Sequence, residues 1–318
     1  MDDLKVMTYN VEHMRELFHK GNFVQDSLPR IDAIASVIQR IAPHLLGITE
    51  ACYRQTSHER FIEHAHLAPL EFQVARSPKR RGSHDLVMYY RSPLRLISLD
   101  ANIDFYSTWI EDIDEDGIKE VCEFERMPLE GLFETSDTGE RLLVILVSLK
   151  SKAVGRMRDF MDHQNLALAN RKKQLAQARK LRKRLDGLLK DEPDLPVIVM
   201  GDFNDEPGLD SFQRMLGASA VETIMGSVFA PELIFHNVLW HIRNSPQGKD
   251  LWTAEYPDVI VRTAEHHKAW LDHILISPKL RDAQRGLRYR PESGAVATKD
   301  AAAKEASDHF PVFCHLSR

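Results

Sequence analysis

A chain of 318 residues, 43% hydrophobic and 28% charged, has the profile of a globular protein with room for a sizeable core. Its formal net charge of -5 excludes a globally basic field, so any polyanion site must be a local patch. Three distant cysteines, Cys52, Cys122 and Cys314, argue against a disulfide framework and for a reducing compartment. No run reaches the length of a membrane span, and Met1-Asp2-Asp3-Leu4-Lys5 carries no apolar signal region. The expected location is therefore cytoplasmic, with no transmembrane segment and no obligate protein partner evident.

Lys5 to Asn10 reads as a first strand, finishing on a carboxamide. Ser27 is placed to cap a helix whose apolar residues Ile31, Ile34, Ile38 and Ile41 fall at helical spacing, and Pro43 ends it. Leu45 to Glu50 follows as a strand ending in a carboxylate. Asp85 to Tyr90 and Leu94 to Leu99 flank a Ser92-Pro93 turn and suggest a hairpin. Asp112-x-Asp114-x-Asp116-Gly117 followed by Glu123 fits a calcium-loop pattern, but its flanks lack helical periodicity and favour strands. An acidic hairpin turn is the better reading.

Leu142 to Leu149 is a continuous apolar run, the mark of a central strand. It leads through Ser148 and Lys150 to a helix expected from about Asp162 to Lys190. That helix carries the strongest basic cluster of the chain, including Arg171, Lys172, Arg179, Arg182 and Arg184. A solvated helix face is the favoured reading, with a phosphate-backbone contact as the alternative. The region from about 209 to 270 is irregular and holds Trp240, Trp252 and Trp270 with His236, His241, His266 and His267. Packed loops are favoured there over a substrate-shaping insertion with stacking aromatics. Leu271 to Ser277 is another strand, and Ser307-Asp308-His309 leads into a last one. No internal repeat or composition break appears, so residues 1–318 read as a single domain with an insertion at about 209–270.

The organising stretch is Val197 to Pro207. Four apolar residues make a buried strand that stops at Gly201 and opens into Asp202, Phe203, Asn204 and Asp205. If the strands share a sheet rim, Asn10, Glu50, Asp202, Asn204, Asp272, Asp308 and His309 can converge. Crowded carboxylates repel unless a cation sits among them, and Glu50 and Asp308 suit a hard ion such as Mg2+ or Mn2+ better than zinc. Metal, histidine and carboxylate together suit attack of water on a phosphodiester.

The set Thr8-Tyr9-Asn10, Ile48-Thr49-Glu50, Gly201-Asp202-Phe203-Asn204-Asp205, Leu271-Asp272-His273-Ile274 and Ser307-Asp308-His309-Phe310 resembles the endonuclease/exonuclease/phosphatase superfamily, the DNase-I-like fold. The motifs run in family order from residue 5 to residue 313. The resemblance implies an α/β fold, a four-layer α/β sandwich of two mixed sheets face to face with helices outside. It implies Glu50 as principal metal ligand, Asn10 on the metal or the scissile phosphate, and Asp308 close to the metal. Asp202 resembles the residue that orients or deprotonates the attacking water, and Asn204 a donor to the phosphoryl oxygens. Asp272 would orient His309, which would contact a phosphate oxygen or act as acid or base. One departure stands out: where many members carry Asn-His, this chain has Val147 and Ser148. Ser148 and Lys150 remain as candidate substrate contacts. The leading expectation is a divalent-metal nuclease acting on DNA or RNA. The alternatives are a phosphatase or phosphodiesterase for a small or lipid-linked phosphate ester, and a catalytically idle scaffold member.

Overall fold

The computed structural model describes residues 3–77, 85–100, 102–154, 159–257, 266–298 and 300–317; Met1-Asp2 and residues 258–265 of the irregular region lie outside them. Two mixed sheets face each other. The first has seven strands, in the order Arg288–Tyr289, Val312–Ser317, Leu4–Asn10, Leu45–Ala51, Asp85–Tyr90 and Gln73–Arg76, with Ala295–Val296 also pairing to Val312–Ser317. The second has six, in the order His236–Asn237, Asp272–Ile276, Val197–Asp202, Arg141–Ser148, Leu129–Thr135 and Leu94–Asp100.

Each sheet contains one parallel pair joined by a crossover helix. Leu4–Asn10 and Leu45–Ala51 are linked through helix Leu28–Ile41; Arg141–Ser148 and Val197–Asp202 through helix Phe160–Asp191. A parallel pair needs such a crossover, and it brings both carboxyl ends to one rim. Strand alternation then builds the layers. Val144, Leu146, Ile198, Met200 and Ile274 point inward against Leu4, Val6, Met88 and Cys314 of the other sheet. Ile145, Val147, Val199 and Leu275 point outward beneath Leu181 and Leu185 of the long helix. Met7, Tyr9, Leu46 and Ile48 point outward beneath Ile31, Ile34 and Ile38. The result is the four-layer α/β sandwich that the motifs implied. Gly47 lets the layers close near the rim, since a Cβ there would sit 2.6 Å from a Leu146 methyl of the facing sheet.

Several local expectations change. Asp85–Tyr90 and Leu94–Asp100 form no hairpin; they belong to different sheets. Asp85–Tyr90 already pairs with Leu45–Ala51 on one edge and Gln73–Arg76 on the other, so no edge remains for the strand after the turn. Ser27 makes no side-chain cap, because a 3-10 turn, Gln25–Ser27, runs directly into the helix and its backbone is already helical. The acidic stretch is the expected hairpin turn, between Trp109–Glu111 and Glu120–Cys122. Lys172 fills the place of a cation there, 2.6 Å from Asp114 and 2.8 Å from Glu120.

The basic helix keeps a solvated face, with Lys173 and Lys183 exposed, while its arginines are committed to ion pairs. Arg171 pairs with Asp210, Arg179 with Glu111, Arg182 with Asp186 and Arg184 with Glu130. Trp240 and Trp270 pack into the core between the sheets, as the packed-loop reading expected. Cys52, Cys122 and Cys314 are free, buried thiols. Among the described residues no helix is long and apolar enough to cross a membrane.

A neutral polar chain stiffens the ground behind Glu50. His58 is buried, its Nε2 donating to the Cys52 carbonyl at 2.7 Å and its Nδ1 accepting from the Tyr89 hydroxyl at 2.7 Å. Burial above all lowers its pKa to about 4, against 6.5 ordinarily. Between those values only the unfolded chain takes up the proton. His58 therefore contributes its full share above pH 6.5, and that share fades as pH falls toward 4, by about 3 kcal/mol in all. His58→Gln is expected to flatten the fall of the denaturant midpoint between pH 6.5 and 4. An unchanged slope would remove His58 as its source.

Candidate active site

The rim groups come together where the parallel strands of both sheets end. Within the second sheet Ser148, Asp202 and Asp272 are register partners across three adjacent strands. All three share the inward parity of Leu146, Met200 and Ile274. Asn10 is inward on the first sheet, and its amide crosses the gap, Nδ2 donating to Asp202 Oδ2 at 3.1 Å. The same nitrogen lies 3.4 Å from Glu50 Oε1, while Asn10 Oδ1 accepts the Glu12 N–H at 3.0 Å. That pattern fixes which end of the carboxamide is which.

Glu50 reaches this point by a backbone irregularity. Strict alternation from Leu46 and Ile48 would send it toward the helix layer. Pairing with the neighbouring strand instead shifts between Ile48 and Ala51, and Glu50 takes a φ of 55°. A bulge of this kind re-aims a side chain. The carboxylate meets the His13 N–H at 2.9 Å and His13 Nδ1 at 3.1 Å. Glu12, His13 and Asn204 also hold positive φ, at 42°, 52° and 52°. Left-handed backbone at four non-glycine residues around one spot is the kind of strain a packed surround must hold in place.

Asp202 is buried and accepts three hydrogen bonds: from Asn10 Nδ2, from Asn204 N at 2.9 Å and from Asn204 Nδ2 at 2.9 Å. Burial pushes its pKa up to about 7; the His309 charge opposes the rise and Asp272 adds to it. The second amide hydrogen of Asn204 goes to the Leu149 carbonyl at 3.1 Å, so both are committed. His309 Nδ1 meets Asp272 Oδ2 at 2.7 Å. Burial disfavours its charge, but Asp272, Asp202 and Asp308 outweigh that and raise its pKa to about 10. A serine joins the two ends of the chain: Ser307 Oγ donates to the Asn10 carbonyl at 2.8 Å and accepts the His309 N–H at 3.1 Å. Arg30 clamps the same junction from behind. It donates to the carbonyls of Val11 at 2.7 Å and Ala306 at 2.8 Å, and to that of Glu12.

The donor set fits a hard divalent cation. Glu50 and Asp308 offer carboxylate oxygens, whereas Asn10, expected on the metal or the phosphate, turns its NH2 to Glu50 and Asp202 and its oxygen to the Glu12 N–H, and so braces the carboxylates. Burial raises the Asp308 pKa; His309 opposes, and Glu12, Glu50 and Asp272 raise it further, as crowded carboxylates do. Asp272 Oδ1 is buried with no partner among the described residues. Asp202, Asp272 and His309 also place donor atoms within 4.8 Å of one another. Their closeness is explained by the His309–Asp272 hydrogen bond, which makes that trio a weaker ion site.

The two expected substrate contacts differ in their surroundings. Lys150 pairs with Glu125 at 2.9 Å. Ser148 is buried, with a hydroxyl that has no partner among the described residues. Asp205, part of the organising stretch, serves the framework: it pairs with Lys152 and accepts the Ala220 N–H at 2.6 Å. A residue missed from the sequence is Arg126. Its charge acts on Asp202, and its Nε is buried without a partner among the described residues. Arg-Met-Pro before an apolar strand gave no periodic signal, since a lone arginine in a loop reads as surface.

Gly201 makes the geometry possible. Its φ is 139°, and a Cβ there would sit 1.9 Å from the Val147 carbonyl oxygen. Gly201→Ala is expected to cost about 3 kcal/mol or more, read from the denaturant midpoint. A loss below about 1 kcal/mol would mean that the strand tolerates a side chain here.

The sequence model of the Endonuclease/Exonuclease/phosphatase family matches residues 7–309. Among solved structures, a truncated TDP2 of Caenorhabditis elegans is similar at 12% identity and a TM-score of 0.55, covering 99% of this chain and 98% of that one. TDP2 of D. rerio complexed with single strand DNA product is similar at 12% identity and a TM-score of 0.54, covering 100% of both. The human Nocturnin catalytic domain with bound sulfate is similar at 15% identity and a TM-score of 0.51, covering 99% of this chain and 94% of that one. No curated protein sequence matches this chain.

Proposed function

We propose that this chain, which belongs to the Endonuclease/Exonuclease/phosphatase family, is a divalent-metal-dependent nuclease that cuts a phosphodiester of nucleic acid by in-line attack of water. The observation that carries the reading is the Asp202–Asn10–Glu50 chain of contacts beside the His309–Asp272 pair. It gathers a water-orienting carboxylate, an oxygen-rich cation site and a protonated imidazole in one place. The likeness to a TDP2 structure that holds a single strand DNA product supports nucleic acid over a small ester. So does the burial of Trp270, which leaves that ring no part in enclosing a small substrate.

Glu50 and Asp308 would hold the cation, Mg2+ or Mn2+, with Asn10 bracing Glu50 and Asp202 beside it. Once bound, such an ion polarises the phosphoryl group and offsets charge that develops on it. Asp202, fixed by three N–H donors, orients the attacking water and accepts its proton. Asn204 has both amide hydrogens committed, so its role is to hold Asp202 in line rather than to contact the phosphate. His309 is anchored through Nδ1, which leaves Nε2 for a phosphoryl oxygen or the departing oxygen. Asp272 keeps that imidazole charged and oriented. Arg126 supplies the positive contact to the phosphate that Ser148 lacks, in preference to the paired Lys150.

Purified protein with Mg2+ is expected to cleave a labelled oligonucleotide and to stop on addition of EDTA. His309→Ala and Asp202→Ala should each lower kcat by about a thousandfold with folding intact. Turnover confined to inositol phosphates, nucleotides or sphingomyelin-like esters would replace the nuclease reading with the small-ester one. A loss of only a few-fold would remove the two residues from the chemistry. Glu50→Ala is expected to shift the Mg2+ titration of activity to higher concentration by tenfold or more; an unmoved titration would take Glu50 out of the ion site.

A further inference from the structure

A two-stranded ribbon stands at the mouth of this site. Ala254–Pro257 pairs antiparallel with His266–Ala269. It is fastened directly to the loop that carries the histidine. Ala254 bridges to His309, Glu255 N donates to the Asp308 carbonyl at 2.8 Å, and Phe310 N donates to the Thr253 carbonyl at 2.7 Å. Thr253 Oγ1 also accepts the N–H groups of Leu271 and Asp272, at 2.9 and 2.8 Å. A ribbon tied to His309, Asp308 and Asp272 keeps a fixed position relative to the reacting phosphate.

Alternation along the ribbon puts Tyr256 on the same side as Ala254, which is buried against His309. Tyr256 faces His267 across the ribbon, with ring centroids 5.9 Å apart and planes tilted by 42°. The phenol is 37% exposed. The neighbouring tryptophans are not offered in this way: Trp270 is buried and Trp252 lies under the Lys268 ammonium at 4.1 Å. Burial raises the Tyr256 pKa, and Glu206 and Asp308 raise it further. Glu206 follows the Asp202–Asn204 turn and Asp308 precedes His309. The ribbon's hydrogen bonds to Asp308 and Phe310 and its bridge to His309 put the ring beside the His309 lip of the site.

We propose that Tyr256, with His267 beside it, is a stacking platform for the nucleobase next to the scissile phosphate, so that the favoured substrate is single-stranded nucleic acid. The inference rests on the nuclease reading above. A base in a duplex is already stacked on both faces, whereas an unpaired one has a face to give to a tyrosine. Sequence preference is expected to be slight, because every base has a π-face.

The test compares two single-stranded oligonucleotides, one complete and one abasic around the cleavage position, cut by the full chain with Mg2+. Tyr256→Ala is expected to raise KM for the complete strand about tenfold, with kcat within about twofold. Tyr256→Phe should restore the original KM, since the ring is kept. On the abasic strand the effect of Tyr256→Ala should shrink to less than twofold. Equal losses on both strands, or an unchanged KM on both, would overturn the platform while leaving the nuclease reading in place. Failure of the unsubstituted protein to cut either strand would overturn that reading first, and the platform with it.

Discussion

A hydrogen bond from Asn10 to Asp202 crosses between the two halves of the site, beside the His309–Asp272 contact. Asn10 belongs to the first sheet and Asp202 to the second, and their 3.1 Å contact spans the space between the layers. Everything around it serves that closeness. Gly47 removes a side chain where the sheets approach, and Gly201 removes one that would strike Val147. The apolar layer of Leu146, Met200, Val6 and Met88 below sets the spacing. A close-packed layer of this kind resists small displacements, so the gap is held to a fraction of an ångström. A polar contact at its rim is thereby positioned by hydrophobic packing rather than by its own strength.

The electrostatics follow from the same convergence. Glu12, Glu50, Asp202, Asp272 and Asp308 meet around the His309 imidazole, which is bonded to Asp272, while Arg30 pairs with Glu12 from behind. Burial raises the cost of each charge, and mutual repulsion adds to it. Such an arrangement gains from a bound cation and from a phosphate that brings one. The left-handed backbone at Glu12, His13, Glu50 and Asn204 belongs to the same account. Strain is kept at these positions because Arg30, Ser307 and the Asn204 side chain tie the loops down.

Much of this was legible in the sequence, and for identifiable reasons. Apolar runs such as Leu142 to Leu149 and Val197 to Met200 can hardly be anything but buried strands, and a polar residue at the end of each marked the rim. Where reading failed, the deciding fact was non-local. The turn at Ser92-Pro93 looks like a hairpin until the edges of Asp85–Tyr90 are seen to be occupied. The basic helix reads as a solvated face, but its residues do not show that Glu111, Glu130 and Asp210 arrive from other segments to pair with its arginines. Glu50 needed a bulge that its own residues do not announce. Arg126 is a single charge in a loop, and only its electrostatic influence on Asp202 sets it apart.

The Ser307–Asn10 contact spans 297 positions of sequence. Strand Val312–Ser317 inserts beside Leu4–Asn10 within its sheet, at an interior position rather than an edge. During synthesis, Asn10, Glu50 and Asp202 all leave the ribosome well before His309 does. A growing chain therefore exposes an incomplete site, lacking both its imidazole and the serine that seats Asn10. The imidazole therefore joins Asn10, Glu50 and Asp202 only once the strand beside Leu4–Asn10 is in place, and the two ends of the fold close the rim together.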